Sequence, residues 1–349
     1  MKKGLYQFKN QLKLIFISQL LFSLPVFGEV VEGSNLSDIS TLPTPENAAM
    51  VGDNWETAKC YYDDGLDQEH PANVDPHQGV YELPSVSGVW LPDDPVLFRP
   101  FMADPREIVF SGGWRFDDRV LNQNVIDVSF GDSVALYRWF DVAPWGGELQ
   151  IEIEGALWAV FDPLEYSSPL INADYYGGVP ITYAFDNWSF RLRLYHISSH
   201  LGDEFLLNHP GYDRRNMSNE YIDFFISNDF TEEIRLYAGL GYIVGQDDEF
   251  VMSPFYSALG LELRLLRLGI VNEADGLYGC PIYAMYFRQN GDFKRHVDST
   301  FILGYEFGKT VGVYRKLRFF MEYHDGYSLE GQFSKEPTHY FSVRTSYGY

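Results

Sequence analysis

Nowhere among the 349 residues do eighteen apolar residues run without interruption. A helix needs about that many to cross a bilayer, so crossing by helices is excluded. Basic charge is also scarce: 26 Lys and Arg stand against 49 Asp and Glu, a formal net charge of −23 and a pI near 4.6. Phosphate backbones are held by basic surface, so nucleic acid is not an expected partner. There are two cysteines, Cys60 and Cys280, too few for a disulfide scaffold. An oxidising compartment would permit one bridge between them, and the sequence leaves open whether it forms.

What is present at the N-terminus reads as an export signal. Lys2, Lys3, Lys9 and Lys13 precede a short apolar run, Leu14 to Phe27, and Val26-Phe27-Gly28 offers a cleavage site. No Cys follows the run, which disfavours a lipoprotein. The expected domains are therefore a signal peptide over 1–28, an acidic, proline-rich periplasmic extension or lead-in over 29–105, and a barrel over 106–349. The end of the extension, Leu91 to Glu107, needs a burial site for Phe98 and Phe101, as a packed linker or as a plug.

The strongest pattern is WSFRLRLYHISSH, Trp188 to His200. With period two, Trp188, Phe190, Leu192, Leu194, His196, Ser198 and His200 share one face, and Arg191, Arg193 and Tyr195 lie on the other. A membrane strand with lipid outside and a polar lumen inside asks for both faces. Alternating segments of this kind recur from Arg106 to the C-terminus, separated by polar or Gly/Pro/Asp-rich turns. With the segment from Val125 to Asp141 they give about twelve strands. The last segment, Phe341 to Tyr349, resembles the terminal aromatic strand by which bacterial outer-membrane barrels are recognised for assembly. Aromatic residues make 17% of the chain, enough for girdles at both interfaces. The expected fold class is all-β, a transmembrane antiparallel barrel of about twelve strands in the bacterial outer membrane; the soluble alternative is a periplasmic sandwich or barrel. Arg115, Arg191, Arg193, Arg235, Arg264, Arg318 and Arg344 are expected to face inward with Glu152, Glu154, Glu262, Glu306 and Glu322. Paired charges in a narrow lumen would fill it.

Chemistry concentrates where the lipid face of Trp188 to His200 ends. His196 and Ser198 point the same way, the minimal pair for nucleophilic catalysis. Glu220, near the top of the next strand, is the candidate third member that orients the imidazole. His-x-Ser on a barrel exterior resembles outer membrane phospholipase A and the outer-membrane lipid A 3-O-deacylase, and Glu220 matches the deacylase type of third residue. The sequence departs from the phospholipase at Ser199-His200, where that family has Asn-Gly. The resemblance implies an acyl-ester hydrolase acting at the outer leaflet, with phospholipid or lipopolysaccharide as lipid partner and a homodimer as candidate assembly. Over most of its length the chain also resembles a domain-of-unknown-function family of exported bacterial proteins. FRPFMADPRE (Phe98 to Glu107), LINADY (Leu170 to Tyr175) and YHISSHLGDEF (Tyr195 to Phe205) carry that likeness, which implies a common barrel and no activity.

The plainer reading is that His196 and Ser198 mark where the lipid face meets the polar interface. His200 reads as a surface residue, and Asp174 as a turn or cap residue. Asp203 and Glu204 are candidate calcium ligands, whereas zinc on His200, His209 and Asp203 fits no compact site. Two rival functions stand beside the hydrolase: a narrow solute channel, and a structural or surface-interaction barrel.

Overall fold

The computed structural model describes residues 87–349 apart from 95, 273, 275, 292–296 and 311–314. The expected signal peptide, the extension as far as residue 86 and Cys60 lie outside the described residues, and with Cys60 the candidate bridge to Cys280.

Fourteen strands follow in order: β1 (Gly88–Trp90), β2 (Phe110–Asp118), β3 (Asn122–Val142), β4 (Gly147–Phe161), β5 (Leu170–Phe185), β6 (Trp188–Leu201), β7 (Met217–Asp229), β8 (Ile234–Gln246), β9 (Phe255–Arg264), β10 (Ile270–Asn272), β11 (Leu277–Asn290), β12 (Asp298–Lys309), β13 (Lys316–Tyr327) and β14 (Pro337–Gly348). Twelve of them pair antiparallel with their neighbours, and β14 pairs with β2, so the sheet closes into a barrel without a free edge. The three-residue strands β1 and β10 lie outside this cycle, on β3 and β11. Apart from the connection that carries β10, short turns join the strands at one end, as at Asp186-Asn187, where Asp186 takes φ +48°. Longer connections, such as 202–216 and 328–336, gather at the other. In outer-membrane barrels short turns face the periplasm and long loops the exterior.

The two faces divide as the alternation predicts. Leu194, Leu240, Leu259, Leu303 and Val343 are each more than half exposed around the outside. All seven arginines and five glutamates expected inside are buried. Among their pairs are Arg193–Asp223 at 2.8 Å, Arg235–Glu262 at 3.3 Å, Arg318–Glu306 at 2.7 Å and Arg344–Glu322 at 3.4 Å. A soluble sandwich would reverse these faces. The protein is an outer-membrane β-barrel.

Its lumen is filled from both ends. Residues 96–109, just before β2, run inside the barrel as a plug. Phe101 stacks on Tyr237 with centroids 3.9 Å apart, and Arg191 lies over the Phe98 ring at 4.4 Å. The plug's backbone is held by side chains of the wall. The Met102 N–H donates to Glu262 (2.8 Å), and Arg235 donates to the Arg99 carbonyl (2.7 Å). Glu107 reaches back to the wall, pairing with Arg191 at 3.4 Å.

The β13–β14 connection, 328–336, folds in from the opposite end as a lid. Glu330 pairs with Arg115 (2.9 Å), and Phe333 packs with Val160, Ile171 and Leu201. Arg106 ties plug to lid, donating to Asp174 (2.7 Å) and to the Leu329 carbonyl. LINADY is thus the start of strand β5, with Asp174 buried and facing inward, and not a turn. A charged partner in the lumen overrides the ordinary turn preference of Asn and Asp.

Candidate functional site

Strand β6 carries His196 and Ser198 outward, between inward-facing Tyr195 and Ser199, both buried. The neighbouring residues are fixed by register. On one side Gly177 of β5 stands opposite His196, and Tyr175 opposite Ser198. On the other, Glu220 of β7 is directly opposite His196, and Ser218 opposite Ser198. The Glu220 Oε1 lies 3.5 Å from His196 Nδ1, with the two side chains 32% and 45% exposed. Glu220 sits at a register shift between β7 and β8, a bulge of the kind that re-aims a side chain. Its carboxylate lies over Gly245 of β8, where a Cβ would collide with it.

Depth follows from geometry. Trp188, at the foot of β6, stacks with Phe190. The ring series continues through Phe185 and Trp145, an aromatic girdle at the periplasmic interface. His196 is eight residues further up; at about 3.4 Å per residue and a tilt near 40°, that is roughly 21 Å along the membrane normal. With an apolar band about 25 Å tall, His196 and Ser198 meet the membrane at its outer boundary.

The serine and imidazole are two residues apart on one face, so their Cα atoms are about 7 Å apart along the strand. The structure thus brings His196 and Glu220 together and puts Ser198 beside them. His200 is exposed one step further up, edge-on to Tyr175 at 5.6 Å. Asp203 and Glu204 open a six-residue helix, α1 (Asp203–Asn208), in the loop above. Glu204 there accepts a hydrogen bond from the Ser167 hydroxyl at 3.3 Å. Among the described residues, no three His, Cys, Asp or Glu side chains converge as metal ligands would. Two carboxylates alone are a poor calcium donor set.

One contributor has no counterpart in the sequence reading. Gly177 leaves the β5 flank of His196 open; a Cβ there would meet nothing within 4 Å. Glycine inside a strand can mark a place left open to a ligand, but only register shows what Gly177 stands beside.

The family described as "Protein of unknown function (DUF1207)" matches residues 8–349. The chain belongs to that family. No curated protein matches this DUF1207 member. Among solved structures, an active-site mutant of outer membrane phospholipase A from Escherichia coli is 12% identical, covers 73% of this chain and 93% of its own, and has a TM-score of 0.46. The calcium-bound dimer of the Salmonella typhi phospholipase is 11% identical, with coverages of 71% and 93% and a TM-score of 0.45. LpxR from Salmonella typhimurium is 9% identical, with coverages of 69% and 99% and a TM-score of 0.35.

Proposed function

We propose that this DUF1207 barrel is an acyl-ester hydrolase acting on lipid of the outer leaflet. The observation that carries the reading is the approach of Glu220 to His196 Nδ1 on the membrane-facing side of the wall, two residues from a serine. A pair that merely marked the interface would need no carboxylate turned toward the imidazole.

With Nδ1–H directed at the Glu220 carboxylate, Nδ1 keeps its proton and Nε2 is the nitrogen that takes the Ser198 proton. The Ser198 Oγ attacks the ester carbonyl, and the tetrahedral intermediate collapses as His196 returns the proton to the leaving alcohol. Water repeats the sequence on the acyl-serine and releases the fatty acid. Placement at the outer boundary suits a substrate that diffuses laterally, with acyl chains in the apolar band and ester groups at the level of Ser198. The open flank at Gly177 provides room for the ester.

The test is purified, folded barrel on vesicles of labelled phospholipid and of lipopolysaccharide, comparing wild type with Ser198→Ala and His196→Ala. Each variant is expected to lose at least about 10³-fold in rate. Equal turnover in all three proteins, or none in any, removes the proposal.

A further inference from the structure

Between plug and lid the barrel encloses a cavity of about 130 Å³, lined by residues that take no part in the exterior site. At about 30 Å³ for each water, that is room for roughly four, more than the one or two that bridge an ordinary buried gap. Its floor is Asp104 and Arg106 of the plug, its roof Ser328, Leu329 and Gly331 of the lid. The wall is largely aromatic: Trp158, Tyr176, Tyr195, Tyr221, Tyr256 and Tyr286.

Most of the charges around it cancel locally. Arg106 is paired with Asp174, and Arg193 with Asp223. The hydroxyls of Tyr195 and Tyr256 are used as well, bonded to each other at 2.7 Å, with Tyr256 donating to Asp223 at 2.9 Å.

Arg288 is different. Its Nε donates to Asn290 (3.3 Å) and its guanidinium lies 4.0 Å over the Tyr256 ring. Among the described residues no carboxylate stands within ion-pair distance, and the terminal nitrogens have no acceptor. The Tyr286 hydroxyl, on a side chain only 4% exposed, likewise bonds to no described residue. On the accepting side, the Asp104 carboxylate takes among the described residues only the Arg106 backbone N–H, at 2.9 Å. The chamber therefore offers unused donors, a carboxylate acceptor and aromatic faces in one small volume, without an excess of positive charge.

We infer that this chamber is a binding site for a small, neutral, polyhydroxylated molecule of three or four carbons. Arg288 and Tyr286 donate to its hydroxyls, Asp104 accepts from them, and the rings pack on its C–H faces. A carboxylic acid of the same size is disfavoured, since Asp104 and Asp298 line the chamber with Arg288, the lining cation that has no ion pair among the described residues.

The inference is tested on the folded full chain in detergent by titration calorimetry with three probes: glycerol, erythritol and D-glycerate. At least one neutral polyol is expected to bind saturably, more tightly than glycerate. Arg288→Met and Tyr286→Phe should each weaken that binding tenfold or more while the barrel keeps its heat-modifiable mobility. The tyrosine variant removes a single oxygen, so it serves if the arginine variant does not fold. No saturable binding of any probe, binding of glycerate alone, or binding unchanged in a folded variant overturns it. The readout is independent of lipid hydrolysis, so neither proposal stands or falls with the other.

Discussion

At the scale of single residues, the exterior site depends on one imidazole being held by one carboxylate. Glu220→Gln keeps a hydrogen-bonding group and removes the charge. The loss expected is about 10²-fold in turnover, smaller than the roughly 10⁴ seen when a buried triad carboxylate is neutralised, because Glu220 is one-third exposed. Its check is the rate on labelled phospholipid vesicles against that of Glu220→Ala, which should be lower still. Gly177→Leu tests the open flank: the side chain has space, so folding should be normal while lipid turnover falls at least about tenfold. His196 and Ser198 could be placed on the lipid face by alternation alone, and Glu220 by following the chain down the next strand. Gly177, Tyr175 and Ser218 could not, because a cross-strand neighbour is set by hydrogen-bond register, and a slip of one residue would exchange every partner.

Among elements, the plug and the lid are the parts the sequence described least well. Phe98 and Phe101 announced a need for burial, yet the surfaces that meet it come from β6, β7, β8 and β11, which only barrel closure brings together. Phe101→Ala removes a ring stacked on Tyr237 and is expected to cost about 3–5 kcal/mol, read from urea unfolding of the barrel in lipid. The lid has a pH signature. Burial pushes the Glu330 carboxyl up, but Arg115, Arg106 and the Ser328 hydroxyl outweigh it and hold it below the usual carboxylate range. A lowered folded value contributes stability that is complete above about pH 4.3 and is lost as the pH falls through the depressed value. Proteolysis within 328–336 should therefore stay slow down to about pH 4 and accelerate only below it. Glu330→Gln should accelerate it already at pH 7. Asp174 shows why local preference misled: Asp alone favours a turn or cap, whereas here the half-buried Arg106 guanidinium pairs with it inside the barrel on strand β5.

For the whole molecule, the inside-out arrangement was legible almost residue by residue, since a period-two pattern with lipid on one side and water on the other admits one assignment of faces. Leu240, more than half exposed in the middle of β8, should tolerate no charge: Leu240→Arg is expected to cost about 2–4 kcal/mol in folding from urea into vesicles. The same barrel wall then serves two media, a packed ionic interior that fixes its shape and an apolar exterior on which lipid can be worked. The most direct test of that account is covalent trapping at the membrane face. Folded barrel in lipid vesicles is treated with a long-chain alkylsulfonyl fluoride, digested and analysed by mass spectrometry. The account predicts one sulfonylated residue, Ser198, with labelling lost in His196→Ala. Labelling at another serine, or none at Ser198 in protein that hydrolyses lipid, would contradict it.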